Sequence, residues 1–427
     1  MKDFKLFENK AIDEKYYYKK HESGLSVYVI PKNHGTAFAV FGTNFGSVDN
    51  RFCIDGKEHT LPDGIAHFLE HKLFENEDGI DTFKKYAQYG ASANAYTSSD
   101  KTIYLFSATE NIPESLEILL DFVTHPYFTD ETVKKEQGII GQEIRMYDDN
   151  PGWRLYFNTL TALYHNHPAR IDIAGTVESI AKITPETLYL AYNTFYNLNN
   201  MALCVCGNID PERVLEVCDK LLKEKAPEIS PVRILPDEPE NVAQKEISQK
   251  LRVSMPLFCV GVKDTDQPKE SVSLAKKQAE MDIILELLFG KSGDFYNSLY
   301  ESGLINSAFS ASYEGHVSFG FCEISGYSNE PDKVYEKILE RIEEVKRTGF
   351  DKDDFERVKR VFYASNIRSF NSTDDIANGF ISCLFKGYDM LSYPEYISSV
   401  TLSDIERRFT DTFVESKIVL SKILPLD

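Results

Sequence analysis

Residues 64–75 read GIAHFLEHKLFE, and they place two of the chain's nine histidines, His67 and His71, four residues apart. On a helix, side chains at positions i and i+4 share one face, so the two imidazoles can reach a single point. Two neutral imidazoles at this spacing form a natural pair of zinc ligands. Glu70 precedes the second histidine on the same face, where its carboxylate can accept a proton from a metal-bound water without binding the metal. The pattern H-x-x-E-H therefore predicts a metal site on this segment.

A surface helix with two solvated histidines is the alternative interpretation. The apolar side chains of Phe68, Leu69, Leu73 and Phe74 favour a buried segment instead, and buried imidazoles need partners. We expect the helix to start within residues 60–63, which read TLPD, with the proline in its first turn.

Two glutamates downstream are candidates for the third protein ligand that a catalytic zinc needs. Residues 136–147 read EQGIIGQEIRMY, with Glu136 and Glu143 seven residues apart on one face of a predicted helix. The isoleucines around them indicate that at least one carboxylate is buried, but spacing alone does not decide which glutamate binds the metal. His165 and His167 form the nearest competing pair, and we expect them at the end of a helix.

Composition limits the class of protein. The chain has 427 residues, enough for two domains, and 67 acidic against 47 basic residues give a net charge of -20. This charge argues against nucleic acid or an anionic membrane as a partner. The amino terminus has no apolar region of a signal peptide, and no segment reaches the roughly 18 apolar residues of a membrane span. With seven scattered cysteines, these features predict a cytoplasmic protein with reduced thiols.

The order of predicted elements suggests two copies of one α+β unit, each a mainly antiparallel sheet covered by helices. We expect a first domain at residues 1–225, a proline-rich linker at 226–244, and a homologous second domain at 245–427. The stretch of the second copy that matches the quoted helix is IILELLFG, residues 283–290, which contains no histidine. Metal binding is therefore expected of the first half alone, with one zinc ion per chain.

Individual elements follow from hydrophobic periodicity. Residues 24–31 and 36–47 are predicted to form two strands paired with each other. In the second half, the strand-like residues 308–328 are followed by three predicted helical stretches and a terminal strand. Helices of the first half are predicted at 112–124, 129–148, 150–165 and 184–198.

The chain resembles the insulinase, pitrilysin and mitochondrial processing peptidase family of zinc endopeptidases, in which HFLEH is followed some 70 residues later by E-x6-E. The resemblance implies that His67, His71 and Glu143 bind zinc. It also implies that Glu70 is the general base and that Glu136 supports the site from behind the ligands.

Residues 90–104, GASANAYTSSDKTIY, resemble the active-site strand of the same family. The resemblance implies that a peptide substrate adds beside Asn94 and Ala95 as an extra β-strand. Residues 71–79 and 146–157 are most similar to a bacterial branch associated with elongation factor P modification or with peptide maturation.

One segment departs from the family pattern. Members carry an Arg and a Tyr in a second-half segment like L-R-x-x-x-G-L-x-Y, which grip the substrate. The matching stretch here, LYESGLINSAF, has Tyr300 in place of the Arg and Asn306 near the place of the Tyr. We therefore expect a homologous partner subunit to supply the grip, with a homodimer as the alternative.

Three functions remain open from the sequence. The first is a zinc-dependent endopeptidase that hydrolyses peptides or small unfolded proteins. The second is a leader or maturation protease for a modified peptide, working with a homologous partner. The third is a non-catalytic structural or assembly subunit, which the intact H-x-x-E-H and E-x6-E motifs disfavour.

Overall fold

The computed structural model describes residues 4–268 and 270–426, and within them the chain forms two α+β halves. Each half is built on a mainly antiparallel sheet covered by helices, which confirms the predicted fold class. The first-half strands are β1 (Lys5–Asn9), β2 (Glu14–Lys20), β3 (Ser26–Pro31), β4 (Ala37–Thr43), β5 (Arg51–Ile54), β6 (Lys57–Thr60), β7 (Ser92–Thr97), β8 (Thr102–Ala108), β9 (Met201–Gly207) and β10 (Val232–Arg233).

The first large sheet has seven strands in the order β1-β2-β3-β9-β4-β8-β7. All its pairs are antiparallel except β3 with β9, and β7 is an edge strand. The prediction that β3 and β4 pair with each other is wrong, because β9 inserts between them. Every residue of β9 is buried, and a strand this apolar is stabilised by neighbours on both sides. The remaining strands β10, β5 and β6 form a small separate sheet, so a two-residue strand lies inside the predicted linker.

Within the described residues eight α-helices complete the first half. They are α1 (Ile65–Leu73), α2 (Thr82–Ala87), α3 (Ile112–Thr124), α4 (Asp130–Asp148), α5 (Pro151–Leu163), α6 (Val177–Ile180), α7 (Pro185–Phe195) and α8 (Pro211–Leu221). Of these, α3, α4, α5 and α7 lie close to the predicted ranges 112–124, 129–148, 150–165 and 184–198, whereas α6 was not predicted.

The start of α1 differs from the prediction. The helix begins at Ile65, and its N-cap is Gly64 in the left-handed conformation at φ 91°. Pro62 therefore lies before the helix and not in its first turn, because a residue at positive φ cannot continue a right-handed helix.

The second half repeats the topology of the first. Its strands are β11 (Glu246–Leu251), β12 (Leu257–Asp264), β13 (Ser310–Gly315), β14 (Gly320–Tyr327) and β15 (Ile418–Pro425). They lie in the order β11-β15-β12-β14-β13, which matches β3-β9-β4-β8-β7 position by position, including the single parallel pair.

The second-half helices are α9 (Ser271–Phe289), α10 (Asp294–Glu301), α11 (Pro331–Thr348), α12 (Lys352–Ser369), α13 (Thr373–Phe385), α14 (Tyr393–Ser399) and α15 (Leu402–Thr412). Five helices thus follow the strand region, not the three predicted. Short turns at Phe370, at 386–392 and at Val400 divide what hydrophobic periodicity alone reads as longer helical stretches.

The two halves exchange a helix. Helix α5 of the first half packs on β11, β12 and β15 of the second sheet, while α13 of the second half packs on β4 and β9 of the first. Among the described residues, none of the helices combines the length and the apolar character of a membrane span.

Candidate metal centre

Helix α1 holds its polar residues in an otherwise apolar environment. Phe68 and Leu69 are fully buried in the core between α1 and the first sheet, and this packing fixes which face of the helix turns toward α4. His67 and Glu70 lie on that face with 8% and 9% of their surfaces exposed, and the ring of His71 is 4.6 Å from that of His67.

Helix α4 brings Glu143 to the two histidines. His67 Nε2 is 3.7 Å from Glu143 Oε1, and His71 Nε2 is 3.5 Å from Glu143 Oε2. Potential ligand atoms of these three side chains all lie within 4.8 Å of one another. Within the described residues, no other group of three or more His, Cys, Asp or Glu side chains meets this criterion. The carboxylate therefore faces the Nε2 atoms of both imidazoles.

Glu136, the residue that the family resemblance places in a supporting role, lies on the side of His71 away from Glu143. Its Oε1 is 3.0 Å from His71 Nδ1, the ring nitrogen that points away from Glu143. A carboxylate at this position holds the proton on Nδ1 and leaves Nε2 as the available donor atom.

Burial and charge affect the two imidazoles in opposite directions. Burial, together with the nearby charge of His71, lowers the pKa of His67 to about 3, which favours the neutral ring. For His71, burial lowers the pKa, but the hydrogen bond to Glu136 and the charges of Glu70, Glu136 and Glu143 outweigh it and raise the pKa overall.

Glu70 lines a cavity together with His67, His71 and Glu143, but it does not belong to the group of three potential ligands. Thr97 Oγ1 on β7 donates a hydrogen bond to Glu70 Oε2 at 2.7 Å. Burial raises the pKa of Glu70, and the bond from Thr97 opposes that rise. A carboxylate held in this way can act as a proton acceptor near neutral pH.

The predicted substrate-binding residues lie on the edge strand beside this group. Asn94 is exposed on β7, and the Ala95 N–H donates to Asn94 Oδ1 at 2.9 Å. Ala95 and Thr97 line the same cavity of about 230 Å³ as the two histidines, Glu70 and Glu143.

One wall of this cavity is aromatic, and neither the motifs nor the periodicity of the sequence predicts it. Tyr96, Tyr147 and Trp153 line it, together with Ile173 and Ala174. Tyr147 follows Glu143 by four residues on a helix, which is a signal that the two side chains meet. Trp153 is the only tryptophan of the chain, but nothing in its local sequence indicated its position.

The competing residues lie elsewhere. His167 caps a short turn, and the backbone N–H groups of His165 and His167 both donate to Glu238, so neither histidine joins the ligand group.

In the second half, Tyr300 lies on α10 with 49% of its surface exposed, and Asn306 caps a local turn by accepting from the Ala308 N–H.

Comparison with known proteins identifies the family. A sequence model described as Insulinase (Peptidase family M16) matches residues 57–177, a range that contains every candidate site residue. A second, described as Peptidase M16 inactive domain, matches residues 182–362.

Full-length relatives agree with these matches. The uncharacterized zinc protease YmfH of Bacillus subtilis is 42% identical over 99% of both chains. The zinc protease PqqE of Helicobacter pylori is 23% identical over 94% of this chain and 92% of its own length. The chain therefore belongs to the insulinase family, peptidase family M16.

Solved structures confirm the fold. The crystal structure of a putative M16-like peptidase from Alicyclobacillus acidocaldarius superposes with a TM-score of 0.94, at 35% identity, over 98% of this chain and all of that one. Pitrilysin matches with a TM-score of 0.75 and 16% identity over 99% of this chain and 46% of its own, a likeness of fold.

The residues at the candidate site fit the zinc that the relatives' names imply. Two imidazoles and one carboxylate are a donor set found in catalytic zinc sites. Burial keeps His67 in the neutral form that binds metals, and Glu136 orients His71. Three protein ligands also leave a coordination position for water or substrate.

Proposed function

We propose that this chain is a zinc-dependent endopeptidase that hydrolyses peptides or small unfolded proteins. The observation that carries the proposal is the convergence of His67, His71 and Glu143 in a cavity that also contains Glu70 and borders the edge of β7. A metal-ligand group and a separate carboxylate supply what hydrolysis by a metal-activated water needs, and an exposed edge strand offers a way to bind the peptide.

In this proposal His67, His71 and Glu143 hold one zinc ion per chain, and Glu136 keeps His71 in the right orientation. When bound, zinc lowers the pKa of a coordinated water to about 7 and polarises a carbonyl oxygen. Glu70 is the general base: its carboxylate accepts a proton from the attacking water and later returns it to the leaving amine. Thr97 restricts the rotation of that carboxylate.

The substrate would lie as an added strand along β7, beside Asn94 and Ala95. β7 pairs only with β8 in the described structure, so its other side offers backbone groups to a peptide. Backbone hydrogen bonds of this kind accept many sequences. The proposal keeps the predicted division into a first domain at 1–225, a linker at 226–244 and a second domain at 245–427. In it, the second domain helps to enclose the substrate.

The first experiment follows cleavage of an unstructured peptide by the wild-type protein and by Glu70→Gln. The substitution keeps the shape of the side chain and removes its basicity, so we expect turnover to fall by about a hundredfold or more, with zinc still bound. A chelator should abolish the wild-type activity, and added zinc should restore it. Near-normal cleavage by a zinc-loaded Glu70→Gln would reject the role of Glu70.

A second experiment addresses the ligands through metal analysis of Glu143→Gln and His165→Ala. We expect the first variant to lose zinc and the second, a matched control outside the group, to retain it. Zinc retained by Glu143→Gln or lost from His165→Ala would contradict the ligand assignment.

A maturation protease that works with a homologous partner is the second candidate function. It is favoured by one observation: the sequence has Tyr300 where the family resemblance leads us to expect an Arg, and Asn306 near the expected place of the Tyr. A purely structural subunit is the third candidate, and a zinc-loaded wild-type protein that cleaves no peptide, alone or with any partner, would support it.

A further inference from the structure

Glu143 is held by a neighbour on its own helix. Tyr147 lies one turn further along α4, and its hydroxyl donates to Glu143 Oε1 at 2.6 Å. The same oxygen faces His67, while the other oxygen of the carboxylate faces His71. The hydrogen bond therefore selects one rotation of the carboxylate, the one in which each oxygen faces an imidazole.

The ring of Tyr147 is held in turn by the next helix. It stacks on Trp153 of α5, with ring centres 4.4 Å apart and planes at 15°. Trp153 Nε1 donates to Asp172 Oδ2 at 2.5 Å. Asp172 is fixed by its own loop, because its other carboxylate oxygen accepts from the Ala174 N–H at 3.0 Å.

This loop also contacts the helix that carries the histidines. An ideal Cβ on Gly64, the N-cap of α1, would lie 2.4 Å from the Ala174 carbonyl oxygen. A little further on, Ser179 Oγ donates to the Asp63 carbonyl at 2.8 Å. The segment after Asp172 thus touches the start of α1 and, through Trp153 and Tyr147, the end of α4.

We propose that Tyr147, Trp153 and Asp172 are positioning residues that fix the carboxylate of Glu143 relative to the two histidines and so set the affinity of the site for zinc. The inference rests on the proposed function, since it assumes that Glu143 is a zinc ligand. Residues behind metal ligands commonly contribute about 10–100-fold to metal affinity, because they spare the ligand the loss of rotational freedom on binding.

The test measures zinc affinity by competition with a chelator for the wild type, Tyr147→Phe, Asp172→Ala and Asp172→Asn. We expect the Kd for zinc to rise by about 10–100-fold in Tyr147→Phe and Asp172→Ala. Asp172→Asn keeps only one of the two acceptor oxygens, so its Kd for zinc should lie between those of the wild type and Asp172→Ala. Since Trp153 is the only tryptophan, its fluorescence should follow the zinc titration directly, and the titration should shift to higher zinc concentration in Tyr147→Phe.

Tyr164→Phe is the matched control. Its hydroxyl, like that of Tyr147, donates to a single oxygen, here the carbonyl of Gly320 at 2.8 Å, but it lies outside the cavity at the metal centre. We expect this variant to lose thermal stability and to keep wild-type zinc affinity, whereas Tyr147→Phe should lose zinc affinity with little change in the melting temperature of the metal-free protein.

The possible failures are distinguishable. A wild type that binds no zinc rejects the proposed function itself. If the wild type and Tyr147→Phe bind zinc equally well, the positioning role is overturned. This includes the case in which the variant raises only KM, because the hydroxyl would then serve the substrate. An equal loss of zinc affinity in Tyr164→Phe also overturns it, because the effect would then report general destabilisation.

Discussion

At the residue scale, the geometry of the metal centre depends on where α1 begins. Gly64 adopts φ 91° and lies against the Ala174 carbonyl, so the chain turns abruptly into the helix. Any side chain at this position is strained by its backbone conformation and by the close contact. The start of α1 in turn determines the direction in which His67 and His71 project.

We therefore predict that Gly64→Ala lowers the free energy of unfolding by about 1–3 kcal/mol, the usual range for a strained backbone position, and weakens zinc binding. The control is Gly138→Ala in α4, where an added Cβ meets nothing within 4 Å. Alanine is the better helix former, so that variant should gain about 0.5–1 kcal/mol. Denaturant unfolding of the metal-free proteins measures both, and equal stability of the two variants would contradict the argument.

At the scale of the elements, the exchange of α5 and α13 ties the two halves together. The outer face of the first sheet is covered by a helix from the second half, in a cluster that includes Tyr16, Tyr28 and Phe380. On the other side, Gly261 in β12 allows α5 to approach closely, since a Cβ there would lie 2.7 Å from the Thr159 side chain. Each large sheet therefore has one face that is covered by a helix from the opposite half.

Phe380→Ala tests this packing. Phe380 is 4% exposed, and its ring contacts those of Tyr16 and Tyr28 at centroid distances of 4.9 and 5.0 Å. Truncating a buried phenylalanine costs about 3–5 kcal/mol, and we expect that loss in denaturant unfolding. Tyr300→Ala, which removes a ring with 49% of its surface exposed, should change stability far less. Similar losses in the two variants would argue against a shared core.

A second prediction at this scale concerns pH. Asp282 on α9 accepts hydrogen bonds from Gln278 at 3.1 and 3.2 Å. Burial raises its pKa from 3.8 to about 7, although Gln278, Lys386 and Tyr393 act in the opposite direction. The folded state therefore favours the protonated carboxyl, and this contribution to stability is lost as the pH rises from about 4 through about 7.

Asp282→Asn should remove this dependence, because the amide is neutral at every pH and keeps an oxygen that can accept from Gln278. We expect the variant to melt at a higher temperature than the wild type at about pH 8, and at a similar temperature at about pH 4. A difference in melting temperature that does not change with pH would show that Asp282 is ionised in the folded protein throughout this range.

At the scale of the whole molecule, the two halves share one topology but not one set of polar residues. The second-half helix that corresponds to α1 is α9, where residues 283–290 offer no histidine to a metal. The family resemblance places Tyr300 where an Arg is expected and Asn306 near the expected place of the Tyr. Since a backbone hydrogen bond contributes only about 0.5–1.5 kcal/mol net, a peptide held by strand addition alone would be bound weakly.

We therefore predict that this chain alone is a weak peptidase, and that a homologous subunit without the zinc motif, carrying an Arg and a Tyr in its second half, raises its activity. The measurement is a titration of such a partner into this chain, with cleavage of a fluorogenic peptide as the readout. A partner in which that Arg is replaced by Ala is the control. Full activity of a monomeric preparation, unchanged by the partner, would show that the missing side chains are not needed, and concentration-dependent activity without a partner would favour a homodimer.

The sequence alone determined the features that depend on local spacing. His67, Glu70 and His71 share one face because they are spaced as i, i+3 and i+4 on a helix, and Glu136 and Glu143 share one because they are two turns apart. The periodicity of apolar residues placed most helices of the first half within a few residues of their observed ends. The fold class followed from the repeated order of strands and helices.

Only the tertiary structure decided what depends on contacts between distant parts of the chain. Strand β9 lies between β3 and β4, and α5 and α13 change places between the halves, because both arrangements are stabilised by burying apolar faces that local sequence cannot assign to a partner. In the same way, Asp172 holds Trp153 by a hydrogen bond, and Trp153 stacks on Tyr147, which donates to Glu143. No periodicity of the sequence connects these segments. Residue spacing along one helix is a local property of the chain, whereas the choice of partner for each buried face is made by the free energy of the whole fold.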